Sequence, residues 1–357
     1  MSVDAPLVRP DGDTTQEAVA AYRPEPLWAN QRLGLLVAIG ALVLFFGTAK
    51  PVFFNEQLIL FPLLTDVAIF TVVALAQMVA LSIGHMNLAV GRMAAFSAMF
   101  TGISYDLWGF PFYAGLVVGL IAGASVGALA GLVIAKMGVN SFVVTLAMDF
   151  TLLGLIPLVY ARYTDVAAFT AKPAGMTELR QSSLGDLCIG GVCGPIAVPQ
   201  MMFLTVVAMC VVGWIYKRTR LGRELLMTGS NVRAAELSGI PTARRIITVH
   251  ALSGTLAALA GFMLAVDTGS FKASIGSDFM LPSFLGAILG GTLLAGGVVS
   301  IIGTALGTTL VLVIRRGLDL MGTGLESLNI YLGAILLIAV SMERVRSLIL
   351  QRKGRLK

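Results

Sequence analysis

Long apolar runs, each broken by a short polar or charged stretch, recur from residue 33 almost to the end of the chain. A helix needs roughly 20 mostly apolar residues to cross about 30 Å of hydrocarbon. Runs approaching that length cover residues 33–49, 67–84, 88–104, 112–135 and 142–160, with Asp66 at the mouth of the second. A polar stretch, 161–195, separates these from a sixth run, 196–216. A basic stretch, 217–245, precedes four more, at 246–266, 281–294, 298–314 and 328–342. The eighth and the tenth are short for a crossing. The pattern predicts an all-α integral membrane protein, a polytopic bundle of about ten transmembrane helices.

Composition agrees and narrows the class. Of 357 residues, 57% are hydrophobic and 12% charged, whereas soluble domains carry about 25% charged residues. Mean hydropathy is +0.89, and a soluble globular enzyme is excluded. The net charge of +6 reads as orientation rather than as affinity for nucleic acid, because of where the cations lie. Lys217, Arg218, Arg220, Arg223, Arg233, Arg244 and Arg245 crowd one loop, which also carries Glu236. Arg344, Arg346, Arg352, Lys353, Arg355 and Lys357 crowd the tail, 343–357. Cytoplasmic loops carry the excess of Lys and Arg, so both segments are expected inside and the loop 161–195 outside. Six spans before the basic loop and four after it leave both termini cytoplasmic. Arg315 and Arg316 then fall on the outer side, against the rule. Residues 1–32 lack the early apolar stretch of a cleavable signal and read as a disordered cytoplasmic tail, leaving 33–342 as the transmembrane domain.

Gly115, Gly119, Gly123, Gly127 and Gly131 fall every four residues along the fourth run. Such a stripe lets helix backbones approach closely, so it predicts tight packing. Cys188 and Cys193 sit in the external loop, where either a small disulfide ring or two free thiols would fit. Cys210 lies in an apolar run and reads as a packed small hydrophobe. The chain has no G-x-x-x-x-G-K-[ST] phosphate loop, no H-E-x-x-H and no G-x-S-x-G, so neither ATP hydrolysis nor hydrolase chemistry is expected of it. No metal site and no cofactor bound by this chain are expected. Polar groups inside a bilayer are costly and usually face the bundle interior or a water-filled cavity. Ser141, Thr145 and Asp149 share one helix face at i, i+4, i+8, and Gln77 and Asn87 add amides nearby. These five are the candidate solute path; interhelical hydrogen bonding is the competing role.

Within the basic loop the punctuation defines a short helix from about Asn231 to Ser238. Ser230 or Asn231 can cap its start, Gly239 suits the left-handed residue past its end, and Pro241 blocks continuation. Val232 and Ala235 share a face. A helix this short is marginal alone, so it docks either on its own membrane domain or on a cytoplasmic partner.

This loop resembles that of the ribose-type ABC transporter permeases, the membrane subunits of bacterial sugar importers. Thr219, Gly222 and Arg223, then Gly229, Asn231, Ala234, Ala235, Ser238, Gly239 and Ile240, stand where that family has T-x-x-G-R and G-x-N-x-x-A-A-x-x-S-G-I, with Glu236 at an open position of the pattern. Ser253, Gly254, Ala257, Ala258, Ala260 and Gly261 match a following small-residue run, and Gly290, Gly291, Gly296, Gly297, Gly303, Thr304 and Gly307 a glycine tract. The likeness spans about residues 58–342. It departs at 84–91, where His85, Asn87 and Ala89 replace a Gly, an Asp and a Ser of the family's G-G-I-D-L-S-V-G, and before Phe142, where Ser141 replaces a Pro.

The resemblance implies a bacterial inner-membrane permease importing a pentose-like sugar or polyol. It also implies a cytoplasmic ATP-binding subunit that holds the ATP, a periplasmic solute-binding protein and a second permease copy or paralogue. The loop residues just named become the contact to the ATPase. Two alternatives stay open: a permease of branched-chain amino-acid or nucleoside importers, and an ion-coupled secondary transporter, which would show intramembrane acids at discontinuous helices and inverted repeats.

Overall fold

The computed structural model describes residues 31–183, 185, 188–189, 192–193, 198–322, 330–331, 333–334 and 337. Twelve helices are named among these: α1 (Gln31–Ala49), α2 (Phe61–Leu81), α3 (Val90–Asp106), α4 (Phe112–Met137), α5 (Ser141–Tyr163), α6 (Met176–Gln181), α7 (Met201–Arg218), α8 (Arg220–Ser230), α9 (Val232–Leu237), α10 (Thr242–Thr268), α11 (Met280–Leu289) and α12 (Ile301–Leu320). Two small antiparallel pairs join β1 (Ala168–Phe169) to β4 (Phe271–Lys272) and β2 (Cys188–Ile189) to β3 (Val192–Cys193). The second register sets Cys188 opposite Cys193.

Seven helices are long and apolar enough to cross a membrane: α1, α2 with the π-helical turn before it, α4, α5, α7, α10 and α12. Helix α3, with 17 residues, and α11, with 10, fall short of that length. The expected tenth span lies almost wholly outside the described residues, as do both expected tails apart from Gln31 and Arg32, which open α1.

Several boundaries differ from the sequence expectation. The second helix starts at Phe61, behind a π-helical turn, Glu56–Leu60, that Asn55 caps by accepting the Leu58 N–H. Asp66 therefore sits inside the helix, not at its mouth. The eighth run is helical only over Met280–Leu289; residues 290–300 are irregular. The basic loop holds a second helix, α8, which the punctuation did not reveal, and α9 is shorter than expected. Val232 is 46% exposed while Ala235 is buried, so the two do not form one packed face.

Helix α2 is the axis of the bundle. Every residue from Val67 to Leu81 is buried, as expected of a helix that is apolar all round. Around it, α4 and α10 lie antiparallel along the glycine stripe. A Cβ on Gly123 would meet the Gly254 carbonyl, one on Gly127 the His250 carbonyl, and one on Gly131 the Ile247 backbone. Gly115 and Gly119 serve the same close approach to α3, against Tyr105 and Thr101. The stripe is a packing surface, as expected.

The outer faces carry the opposite message. Leu36, Val37 and Leu44 of α1, Phe150 and Leu158 of α5, and Phe203 and Trp214 of α7 are each more than half exposed. Continuous apolar surfaces of this extent are avoided in water and belong against hydrocarbon.

Two positions test the packing. Gly127→Leu would drive a side chain into the α10 backbone, and overpacking costs about 1–3 kcal/mol. The expected result is a lower thermal unfolding midpoint in detergent. Gly40→Leu, at a site with nothing within 4 Å, should leave the midpoint unchanged.

Candidate functional site

Between α2 and α3 the chain leaves helical geometry for residues 82–89 while passing through the packed interior. In an apolar medium each unpaired backbone N–H or C=O costs several kcal/mol, so such a break needs donors and acceptors supplied from outside it. Four of the five expected path residues supply them. Ser141 Oγ accepts the Met86 N–H (3.3 Å) and Thr145 Oγ1 the Leu88 N–H (3.2 Å). Asn87 Oδ1 accepts the Ala89 N–H (3.1 Å). The Gln77 amide, oriented to match its neighbours, donates to the Asn87 carbonyl (2.8 Å) and accepts the Asn87 N–H (3.3 Å). The Asn87 amide nitrogen in turn donates to Ser253 Oγ (3.0 Å), which donates to the Ala76 carbonyl (2.8 Å). Gln77, Asn87 and Thr145 are fully buried and Ser141 nearly so. These side chains brace the break.

His85 lies in the middle of the break, and its Nδ1 is 3.2 Å from His250 Nε2 on α10, one nitrogen donating and the other accepting. At the start of α3, Gly91 and Gly276 press against each other's carbonyls. Irregular segment 273–279, which leads into α11, thus touches the first turn of α3, just past the break.

Asp149 is set apart from the other four. It lies one turn beyond Thr145, with Oδ1 3.9 Å from Arg92 Nε, and the two side chains are 27% and 22% exposed. Arg92, Phe96 and Phe100 form the partly exposed edge of α3. Arg92 escaped the sequence reading, although a lone arginine within an apolar run is itself a functional signal.

At its lower end the break meets the basic loop. The Gly297 N–H donates to the Ser82 carbonyl (2.9 Å), and Tyr216 Oη to Ser82 Oγ (2.8 Å). A Cβ on Gly229 would overlap the Ser82 carbonyl and the Gly297 nitrogen, and one on Gly84 the Ala295 carbonyl. Three backbones therefore converge: the break, the end of α8, and the turn at 295–297. Gly84, Gly296 and Gly297 also carry positive φ, which only glycine adopts without strain.

The expected coupling residues organise the rest of this loop. Thr219 caps α8 by accepting the Gly222 N–H (3.2 Å), and Gly222 presses back on Ile215 and Tyr216. Asn231 caps α9 by accepting the Ala234 N–H (3.0 Å); Ser238 Oγ donates to the Ala234 carbonyl (2.8 Å). Gly239 ends the helix at φ 76° with open space around it. Glu236 Oε1 accepts from Thr242 Oγ1 (2.9 Å). Glu224, also missed in the sequence, pairs with Arg220 and with Arg245 of α10, tying α8 to the bundle. An open groove of about 460 Å³ runs between α8 and α9, lined by Arg223, Met227, Asn231, Ala234 and Ser238 among others.

A helical bundle with lipid-like outer faces, an interior helix break and a projecting two-helix loop defines a multi-pass membrane protein of the transport class. The chain belongs to the family described as the branched-chain amino acid transport system permease component, which it matches over residues 59–340. Among curated proteins it is similar to the autoinducer 2 import system permease of Photorhabdus laumondii, 28% identical over 318 residues, covering 87% of this chain and 91% of that one. The counterpart in Photorhabdus temperata is 30% identical, with 87% and 91% covered. The ribose import permease of Escherichia coli is 29% identical, with 86% and 92% covered. No solved structure matches the chain.

The bracing role has a direct test. Thr145→Val keeps the volume but leaves the half-buried Leu88 N–H without its acceptor, at a cost of about 1–3 kcal/mol. Thermal unfolding in detergent should show a clear loss for Thr145→Val and little for Thr145→Ser.

Proposed function

We propose that this chain is the membrane-spanning permease subunit of a bacterial ABC importer in the inner membrane, carrying a small sugar or polyol inward. A cytoplasmic ATP-binding subunit supplies energy, a periplasmic binding protein delivers solute, and a second permease copy or paralogue completes the channel. The observation that carries this reading is the Arg92–Asp149 pair. Two charged side chains, each partly exposed within apolar helices, are too costly against lipid; they fit a wet face shared with a second permease. Vicinal hydroxyls both donate and accept, so a polyol can exchange hydrogen bonds with a carboxylate and a guanidinium in passing. Gln77, Asn87, Ser141 and Thr145 hold the wall of this path in place. The autoinducer 2 and ribose permeases named above favour a sugar-like solute over an amino acid, although the family description names the latter.

In the same reading the bundle has about ten spans: the seven long helices, α3, the 273–289 segment, and a last helix toward residue 342. Both termini and the α8–α9 loop are cytoplasmic by the positive-inside rule, and α9 with its neighbouring groove engages the ATPase.

Four measurements examine these points. Leu237, 91% exposed, replaced by Cys in a background without native thiols, should resist an impermeant thiol reagent in intact cells; strong labelling would invert the topology. Asp149→Asn should lower ribose uptake in proteoliposomes while thermal stability and ATPase association stay near wild type; equal losses of stability and uptake would make Asp149 purely structural. Gly239→Val puts a β-branched residue into a left-handed backbone, at about 1–3 kcal/mol. Co-purification with the ATPase should weaken while membrane insertion persists, and unaltered transport would remove α9 from the coupling role. Uptake of leucine but not ribose by the wild-type complex would select the amino-acid reading.

A further inference from the structure

A cavity of about 450 Å³ opens between α2, α12 and the irregular segment 273–279 that leads into α11. It lies near the end of the bundle remote from the basic loop. Asp66, in its lining, precedes Ser82 by sixteen residues of α2 and its cap, or roughly 24 Å at 1.5 Å per residue, and Ser82 is the residue that meets the end of α8. In the orientation proposed above this is the outer end. The floor is apolar: Leu63, Phe70, Phe279 and Leu312 are buried, and the rings of Phe70 and Phe279 meet edge to face with centroids 5.4 Å apart. The rim is polar and exposed, formed by Ser274, Ser277, Asp278 and Asp319.

Between floor and rim stand Asp66 of α2 and Arg315 and Arg316 of α12, all half-buried. Asp66 interacts electrostatically with both arginines and with Asp267 of α10. Arg316 is held by the Leu58 carbonyl at 3.4 Å and approaches Asp319 at 3.9 Å. Asp66 and Arg315 differ from it. Among the described residues, neither side chain makes a hydrogen bond or an ion pair within 4 Å. Opposite charges half-buried in an apolar bundle gain most by closing on each other. Here the packing of α2 and α12 keeps them apart, and the space between them suits a ligand that donates to one and accepts from the other.

We propose that this cavity is an outward-facing subsite for a small polyol, its hydroxyls bridging Asp66 and Arg315 and its C–H face lying on Phe70 and Phe279; the choice of solute rests on the importer reading above. A vicinal diol donates to a carboxylate and accepts from a guanidinium at once. A simple ion would leave one sign of charge unanswered. A zwitterion would fare worse, since Asp66 and the arginines act on one another at one place, and each of its charges would face a like charge as well as an opposite one. The volume falls in the range of small-molecule sites, about 300–1,000 Å³. The lining also includes Gly276, whose backbone presses on Gly91, the neighbour of Arg92. The subsite therefore adjoins, through one backbone contact, the segment that bears the Arg92–Asp149 pair, as a first station on the outer side of the path would.

The test uses the full-length chain in detergent, with Cys188, Cys193 and Cys210 replaced by Ser and Ser277→Cys placing one thiol at the rim. Ribose should slow modification of that thiol by a maleimide saturably, and leucine or sodium chloride at the same concentrations should not. Asp66→Asn and Arg315→Gln should each weaken the protection about tenfold, the scale of one hydrogen bond to a charged group. Ser274→Trp, at an exposed rim position that leaves the packed walls alone, should abolish it with the thermal midpoint unchanged. In the reconstituted importer Ser274→Trp should also lower ribose uptake. Equal protection by leucine, protection by salt alone, or a modification rate indifferent to ribose, as for a cavity filled only with water, would overturn the proposal. So would full protection in the Asp66→Asn/Arg315→Gln double variant. Ribose uptake by the wild-type importer without protection of the rim thiol would refute the subsite and leave the importer reading intact; protection without uptake would do the reverse.

Discussion

An unwound backbone inside an apolar bundle can persist only if every amide it frees finds a partner, and residues 82–89 impose that condition on everything around them. The partners come from three directions: Gln77 from the preceding helix, Ser141 and Thr145 from α5, and Asn87 from the break itself. Each is a side chain that would otherwise be expensive to bury. The break therefore accounts for the cluster of polar residues at the centre of a chain that is 57% hydrophobic. It also accounts for the position of α5, whose first two turns must face α3 to deliver those oxygens.

The second consequence is steric. Where three backbones meet at Ser82, Gly229 and Gly297, the contacts are main chain to main chain. No side-chain rotamer is available there to absorb a shift, and close-packed interiors transmit displacement because they compress little. The end of α8 is thus in rigid contact with the foot of the break, while Glu224 and Arg245 tie the same helix to α10. A push on the α8–α9 loop reaches the segment that Gln77, Asn87 and Thr145 hold, by way of glycines that no other residue could replace without moving a backbone.

The helical bundle was legible in the chain because hydrophobic run length and the Gly115–Gly131 stripe are local signals, and both describe the structure. The interruption at Gly84, His85 and Asn87 was legible as the boundary between the second and third runs, but its burial within the bundle as an unwound segment was not. Helix α8 escaped for the opposite reason: Arg220, Arg223 and Glu224 read as a solvated loop, although Glu224 is buried. The candidate residues were legible as a set by their polarity, and the structure gathers four of them at one point. Their role as acceptors for main-chain N–H groups depends on α5 meeting the break, a tertiary fact that spacing along one helix does not carry.

Arg315 and Arg316 show how charge placement and packing divide the work. As a count of loop cations they oppose the orientation expected from the two basic segments, but they are not loop residues. They lie within α12, lining a cavity of about 450 Å³ with Asp66, Asp278 and Asp319. Arg316 donates to the Leu58 carbonyl at 3.4 Å and approaches Asp319 at 3.9 Å. The positive-inside bias acts on unpaired cations in short loops near span ends, so side chains committed to a polar cavity carry little of it. The same cavity gives Asp66 a place inside α2, where a carboxylate facing lipid would be untenable. The acid within α2 and the basic pair within α12 are therefore one feature, each supplying the environment that makes the other tolerable.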